Sequence, residues 1–101
     1  MATTTKRLAR GAFTTTVTTA LYTVPSATTT IVTNVAICNT AGTSATFTLA
    51  LAGTRIHEAT TIAANTTVYI DLKQVLNATE TIQGGASATT VNFHISGVEV
   101  N

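Results

Sequence analysis

From Phe13 onward the apolar residues recur at every second position rather than every third or fourth, which sends alternate side chains to opposite faces of a sheet. Phe13, Thr15 and Val17 predict a short first strand. Leu21 to Val24 predict a second, stopped by Pro25, which has no amide hydrogen to give to a ladder. Ser26-Ala27-Thr28 reads as a turn. Ile31, Val35 and Ile37 then read as one face of a strand reaching Cys38, with Asn39 to Gly42 as the next turn. The clearest alternation sets Phe47, Leu49 and Leu51 against Thr46, Thr48 and Ala50, and it ends at Gly53. After a short stretch through Arg55 and His57 and a turn at Ala63-Ala64-Asn65, Val68, Ile70 and Leu72 alternate with Thr67, Tyr69 and Asp71.

Toward the C-terminus the pattern is less regular. Leu72, Val75 and Leu76 sit at helical spacing, but Lys73 to Asn77 is too short for a stable helix, so a loop or a single helical turn is expected. Glu80 to Gln83 predict a short strand, Gly84-Gly85 a hairpin turn, and Val91, Phe93 and Ile95 the last strand. Beyond Ile95 the apolar positions slip to Val98 and Val100. Because a one-residue slip would turn every later side chain to the wrong face, a bulge is expected at Ser96-Gly97, with Ile95 and Val98 on the same face. Roughly six to eight short strands separated by turns define an all-β fold class, an antiparallel β-sandwich of jelly-roll type.

Composition changes this picture in one respect. Charged residues make up 9% of the chain against roughly a quarter in an average soluble domain, and threonine, about a quarter of the residues, takes their place. Threonine is stiff at χ1, fits a pleated surface and meets water without charge, so strands with an uncharged outer face are expected. Only residues 1–11 lack an apolar pattern, and they hold three of the five basic residues, Lys6, Arg7 and Arg10. They are expected to form an N-terminal arm, either a solvated tail or a segment that orders against an acidic neighbouring subunit, leaving residues 12–101 as the single sandwich domain, closed by its last strand. With a net charge of +1 and a mean hydropathy of +0.36, copies repel one another little, which favours assembly.

The candidates for chemistry are few. His57 and Glu58 are neighbours that a strand would point opposite ways, and His94 lies between Phe93 and Ile95 on the face away from the core. Two distant histidines and one cysteine make a poor metal ligand set, and no glycine-rich phosphate loop precedes a helix. Neither catalysis nor a cofactor is therefore expected. Five basic residues, three of them at the N-terminus, do not make the basic face with interleaved aromatics of a nucleic-acid binder. No apolar run approaches a membrane span or a signal-peptide core. The single Cys38 excludes an internal disulfide framework, fits a reducing compartment and is expected to be a small buried hydrophobe.

The order of Leu21-Tyr22-Thr23-Val24-Pro25 and a threonine run, Cys38-Asn39 with a glycine turn, Ile62-Ala63-Ala64-Asn65-Thr66-Thr67, and the closing Ile95-Ser96-Gly97-Val98-Glu99-Val100 resembles small β-rich virion-associated proteins of tailed bacteriophages and their prophages. The resemblance covers roughly residues 21–100 and rests on short, compositionally plain elements; Ser26-Ala27 depart from it, where such proteins often carry a glycine. It implies a structural component of the virion, assembled in the cytoplasm of the bacterial host. The leading expectation is a capsid decoration or minor capsid protein that bridges major capsid subunits as a homotrimer, with Lys6, Arg7 and Arg10 as contacts. A tail or fibre component is the alternative. A glycan- or receptor-binding module is a weaker one, for want of tryptophan.

Overall fold

Most segments with alternating β-branched and apolar residues fold as strands. The computed structural model describes residues 2–101. Within them lie β1 (Thr3–Ala12), β2 (Ala20–Thr23), β3 (Thr29–Asn39), β4 (Ala45–Leu51), β5 (Thr54–Ile62), β6 (Thr66–Leu76), β7 (Thr81–Ala86) and β8 (Val91–Val100), and no helix. Hence no helix among the described residues is long and apolar enough to cross a membrane. The strands form two four-stranded antiparallel sheets, β1-β8-β3-β6 and β2-β7-β4-β5. β1 pairs with β8, β2 with β7, β3 with β6 and β4 with β5, as in one long hairpin whose tip is the turn at Ala52-Gly53. Those two residues have φ of 51° and 80°, the handedness that two-residue hairpin turns need to match strand twist. Pairing of β3 with β8 and of β4 with β7 completes the sheets, and the rolled hairpin measures 46 × 21 × 18 Å.

The core lies between the sheets. Val35 and Ile37 of β3 and Phe93 and Ile95 of β8 face Phe47, Leu49 and Leu51 of β4 and Ile82 of β7, all buried. Phe13 stacks on Phe93 with ring centroids 4.9 Å apart. Asn39 is wholly buried at the end of β3: its amide donates to the Thr43 carbonyl at 2.8 Å, and its Oδ1 accepts from the Ala41 amide at 3.1 Å. The amide also reaches the carbonyls of Ile62 and Ala63, so one side chain ties two turns together.

Several expectations need correction. Residues 3–11, expected in the arm, form β1 together with Ala12, in register with β8 from Thr3 opposite Val100 to Ala12 opposite Asn92. The polar, cationic composition suits an edge strand, which charge protects from pairing with foreign strands, and Leu8 anchors it in the core. Met1, also assigned to the arm, lies outside the described residues.

The bulge expected at Ser96-Gly97 is absent. β8 alternates unbroken, with Val91, Phe93, Ile95 and Gly97 buried, so Ile95 and Val98 lie on opposite faces. The irregularities sit at the same level in the neighbouring strands, between Arg7 and Ala9 in β1 and between Val32 and Asn34 in β3. Gly97 is the cause: a Cβ there would stand 2.4 Å from the Ile31 carbonyl oxygen and 2.8 Å from Leu8 Cδ1, which occupy the space a side chain would fill. The β3 irregularity also reverses parity, so Thr30 and Val32 face inward and Ile31 outward, not inward with Val35 and Ile37.

Gly84-Gly85 is no turn but part of β7, and the reversal falls at residues 87–90. A Cβ at Gly85 would lie 2.6 Å from the Thr16 carbonyl oxygen. The segment expected as a first strand, Phe13 to Val17, is the loop that packs there, hydrogen-bonded through Gly84 N to Thr19 O and Ala86 N to Thr14 O. Lys73 to Leu76 continue β6, since Val75 finds a ladder partner in Ile31 and Leu76 in Thr30. Arg55 and His57 belong to β5. Cys38 is half-buried and faces outward rather than into the core. The turns at Ser26-Ala27 and Ala64-Asn65 form as expected, Ala27 taking φ of 55° where a glycine would be unstrained.

Candidate functional site

Strand pairing arranges the outer face of the β1-β8-β3-β6 sheet in rows. One row runs Arg10, His94, Ala36, Tyr69; the next Arg7, Ser96, Asn34, Asp71; a third Thr5, Val98, Ile31, Val75. Tyr69 and Val75 are 72% and 58% exposed, two of the three large apolar side chains so placed among the described residues. Asn34 donates to Asp71 Oδ1 at 3.0 Å, which fixes that carboxylate within its row. Beside Arg10 and His94 an open hollow of about 370 Å³ runs over Gly11, Ala12, Asn92 and Phe93.

The cations divide between pairs and this face. Lys6 Nζ lies 3.2 Å from Glu99 Oε1, and Arg55 pairs with Glu58. Arg7, Arg10 and Lys73 have no ion pair among the described residues. Arg7 and Arg10 point outward, because Lys6 stands opposite inward-facing Gly97 while Arg7 stands opposite Ser96 and Arg10 opposite His94. Lys73 follows Asp71 on the outward side of β6, whose inward positions are Val68, Ile70 and Leu72. Of the three residues expected to contact a partner, Arg7 and Arg10 are therefore available and Lys6 is committed to Glu99.

A second cluster lies between the sheets. Tyr22 of β2 donates to Glu99 Oε2 of β8 and shares a 2.9 Å hydrogen bond with Thr30 of β3, so one phenol bridges both sheets. The hydrogen bond from Tyr22, helped by Lys6, holds the Glu99 carboxyl below its usual range against the opposing effect of burial. Burial, then the adjacent carboxylate, pushes the Tyr22 phenol up to about 12. Sequence reading missed this trio because its members lie up to 77 positions apart and none belongs to a motif.

His57 and Glu58 are not brought together: His57 Nδ1 lies 3.3 Å from Thr60 Oγ1, and its ring is 5.3 Å from that of Phe47. His94 stands on the outer face, away from the core, as its parity required. Among the described residues no three His, Cys, Asp or Glu side chains cluster as metal ligands would. Against models of known families and against curated proteins, the sequence matches none.

Proposed function

We propose that this protein is a structural subunit of a tailed-phage virion, in its finer form a capsid decoration or minor capsid protein that bridges major capsid subunits as a homotrimer. The observation that carries the reading is the strand order. Sheets ordered β1-β8-β3-β6 and β2-β7-β4-β5 support reading the chain as a long hairpin rolled into two Greek keys, the jelly-roll arrangement used by viral capsid and lectin domains and by cupins. The resemblance of residues 21–100 to phage virion proteins supports a component of the particle over the other members of that set. Contacts that are weak singly become strong when summed over a symmetric unit, so attachment of this kind needs no catalytic site.

Cryo-electron microscopy of purified particles, with mass spectrometry of the same preparation, tests this directly. Density for the sandwich at capsid three-fold positions is the expected result. Density confined to the tail replaces the capsid reading with a tail or fibre component. Absence of the chain from purified particles overturns both.

A further inference from the structure

The outer face of the β1-β8-β3-β6 sheet is self-complementary, and we propose that it pairs two copies of this chain about a two-fold axis running along the strands between β8 and β3. Such an axis carries β1 of one copy over β6 of the other and β8 over β3, while keeping each residue at its own level along the strand. The rows then match. Arg7 stands over the partner copy's Asp71, twice per pair, because the two residues end the same row on opposite edges. Arg10 stands over the partner copy's Tyr69 for the same reason, a guanidinium above an exposed phenol ring. In the third row Val98 meets Ile31 and Thr5 meets Val75, giving the contact an apolar centre. Lys73, exposed on the edge next to Asp71, is the one charge without a match, and its long side chain extends past the rim into water.

Four strands about 4.8 Å apart and about ten residues long at about 3.3 Å per residue offer on the order of 600 Å² per copy. The total, about 1,200 Å², is the lower end of what a specific interface buries, so a reversible pair is expected. A nucleic acid fits the face less well, because three separated cations flanking an apolar row present no continuous track for phosphates. The pairing does not rest on the virion reading; being two-fold, it joins copies in pairs whatever other surface builds a trimer.

Sedimentation equilibrium of the whole protein at about 100 µM, a concentration suited to an interface of this size, is expected to give twice the 10.4 kDa chain mass, or twice the trimer mass where the trimer also forms. Arg7→Asp and Asp71→Arg should each halve that mass, since each sets like charges together. An equimolar mixture of the two variants should restore it, because in the mixed pair both contacts are again opposite in sign. Val75→Lys, at an exposed position, should also halve it, and the melting curve of each variant verifies folding. Two Cys38 residues would lie about 11 Å apart across sheets stacked at about 10 Å, so a short bis-maleimide should join them in the wild type and not in Arg7→Asp. A monomer at this concentration, an oligomer indifferent to the variants, or a mixture that stays monomeric overturns the proposal. So does dissociation of the pair by single-stranded DNA that takes up the same face.

Discussion

An alanine at position 97 would put its methyl group where the Ile31 carbonyl and the Leu8 side chain already stand. The carbonyl belongs to the β3 backbone and not to a flexible side chain, so backbone must shift to admit the methyl group. Gly97→Ala is expected to destabilise the fold by about 2 to 3 kcal/mol, a loss of about 10 °C or more in Tm, read by thermal unfolding. An unchanged Tm would mean that this level of the sheet is loosely packed. In the sequence Gly97 marked an irregularity correctly and misassigned its strand. The slip of apolar positions at Val98 and Val100 shows only that something changes at this level. Which strand absorbs the change depends on Leu8 and Ile31, residues 89 and 66 positions away, and no local pattern contains them.

At the level of elements, β2 and β8 are joined by Tyr22 and Glu99, and the joint is pH-dependent. Folding lowers the Glu99 pKa, so its contribution is complete above the unfolded value, near 4.3, and is lost as pH falls through the lower folded value. For Tyr22 the sign is opposite: a folded value of about 12, raised from about 10, means a contribution complete below pH 10 and lost as pH climbs toward 12. Urea unfolding across pH should therefore show a shoulder on each side, with Glu99→Gln flattening the acid one. Tyr22→Phe should flatten the alkaline one and cost about 1 kcal/mol near neutrality. Identical profiles for all three proteins would remove the joint from the account of stability. The strands carrying strict alternation, β4 and the first half of β6, were legible in the sequence, because a strand buried on one face writes its period there. β1 and β7 were not: β1 is exposed along nearly all its length, and β7 carries glycines where a loop backbone takes the place of side chains.

For the whole molecule, the position of residues 3–12 decides between a tail and a strand. Removing residues 2–12 would uncover the long β8 edge and take Leu8 out of the core. The truncated protein is expected to lose at least about 3 kcal/mol and to aggregate on concentration, whereas a solvated arm would leave unfolding and light scattering unchanged. Two-sheet architecture was readable from the number and spacing of strands, but not their order, because the pairs that build the first sheet join distant stretches such as Thr3 and Val100. The rolled hairpin also sets a timetable. Its tip, β4 and β5 about Ala52-Gly53, closes a two-residue loop, whereas β1 and β8 must close nearly the whole chain, and loop closure grows costlier with length. Loop-closure cost thus favours seating β4 and β5 before β1 and β8. An unseated β1 carries unpaired backbone groups, and the like charges of Lys6, Arg7 and Arg10 oppose its pairing with a second unseated copy.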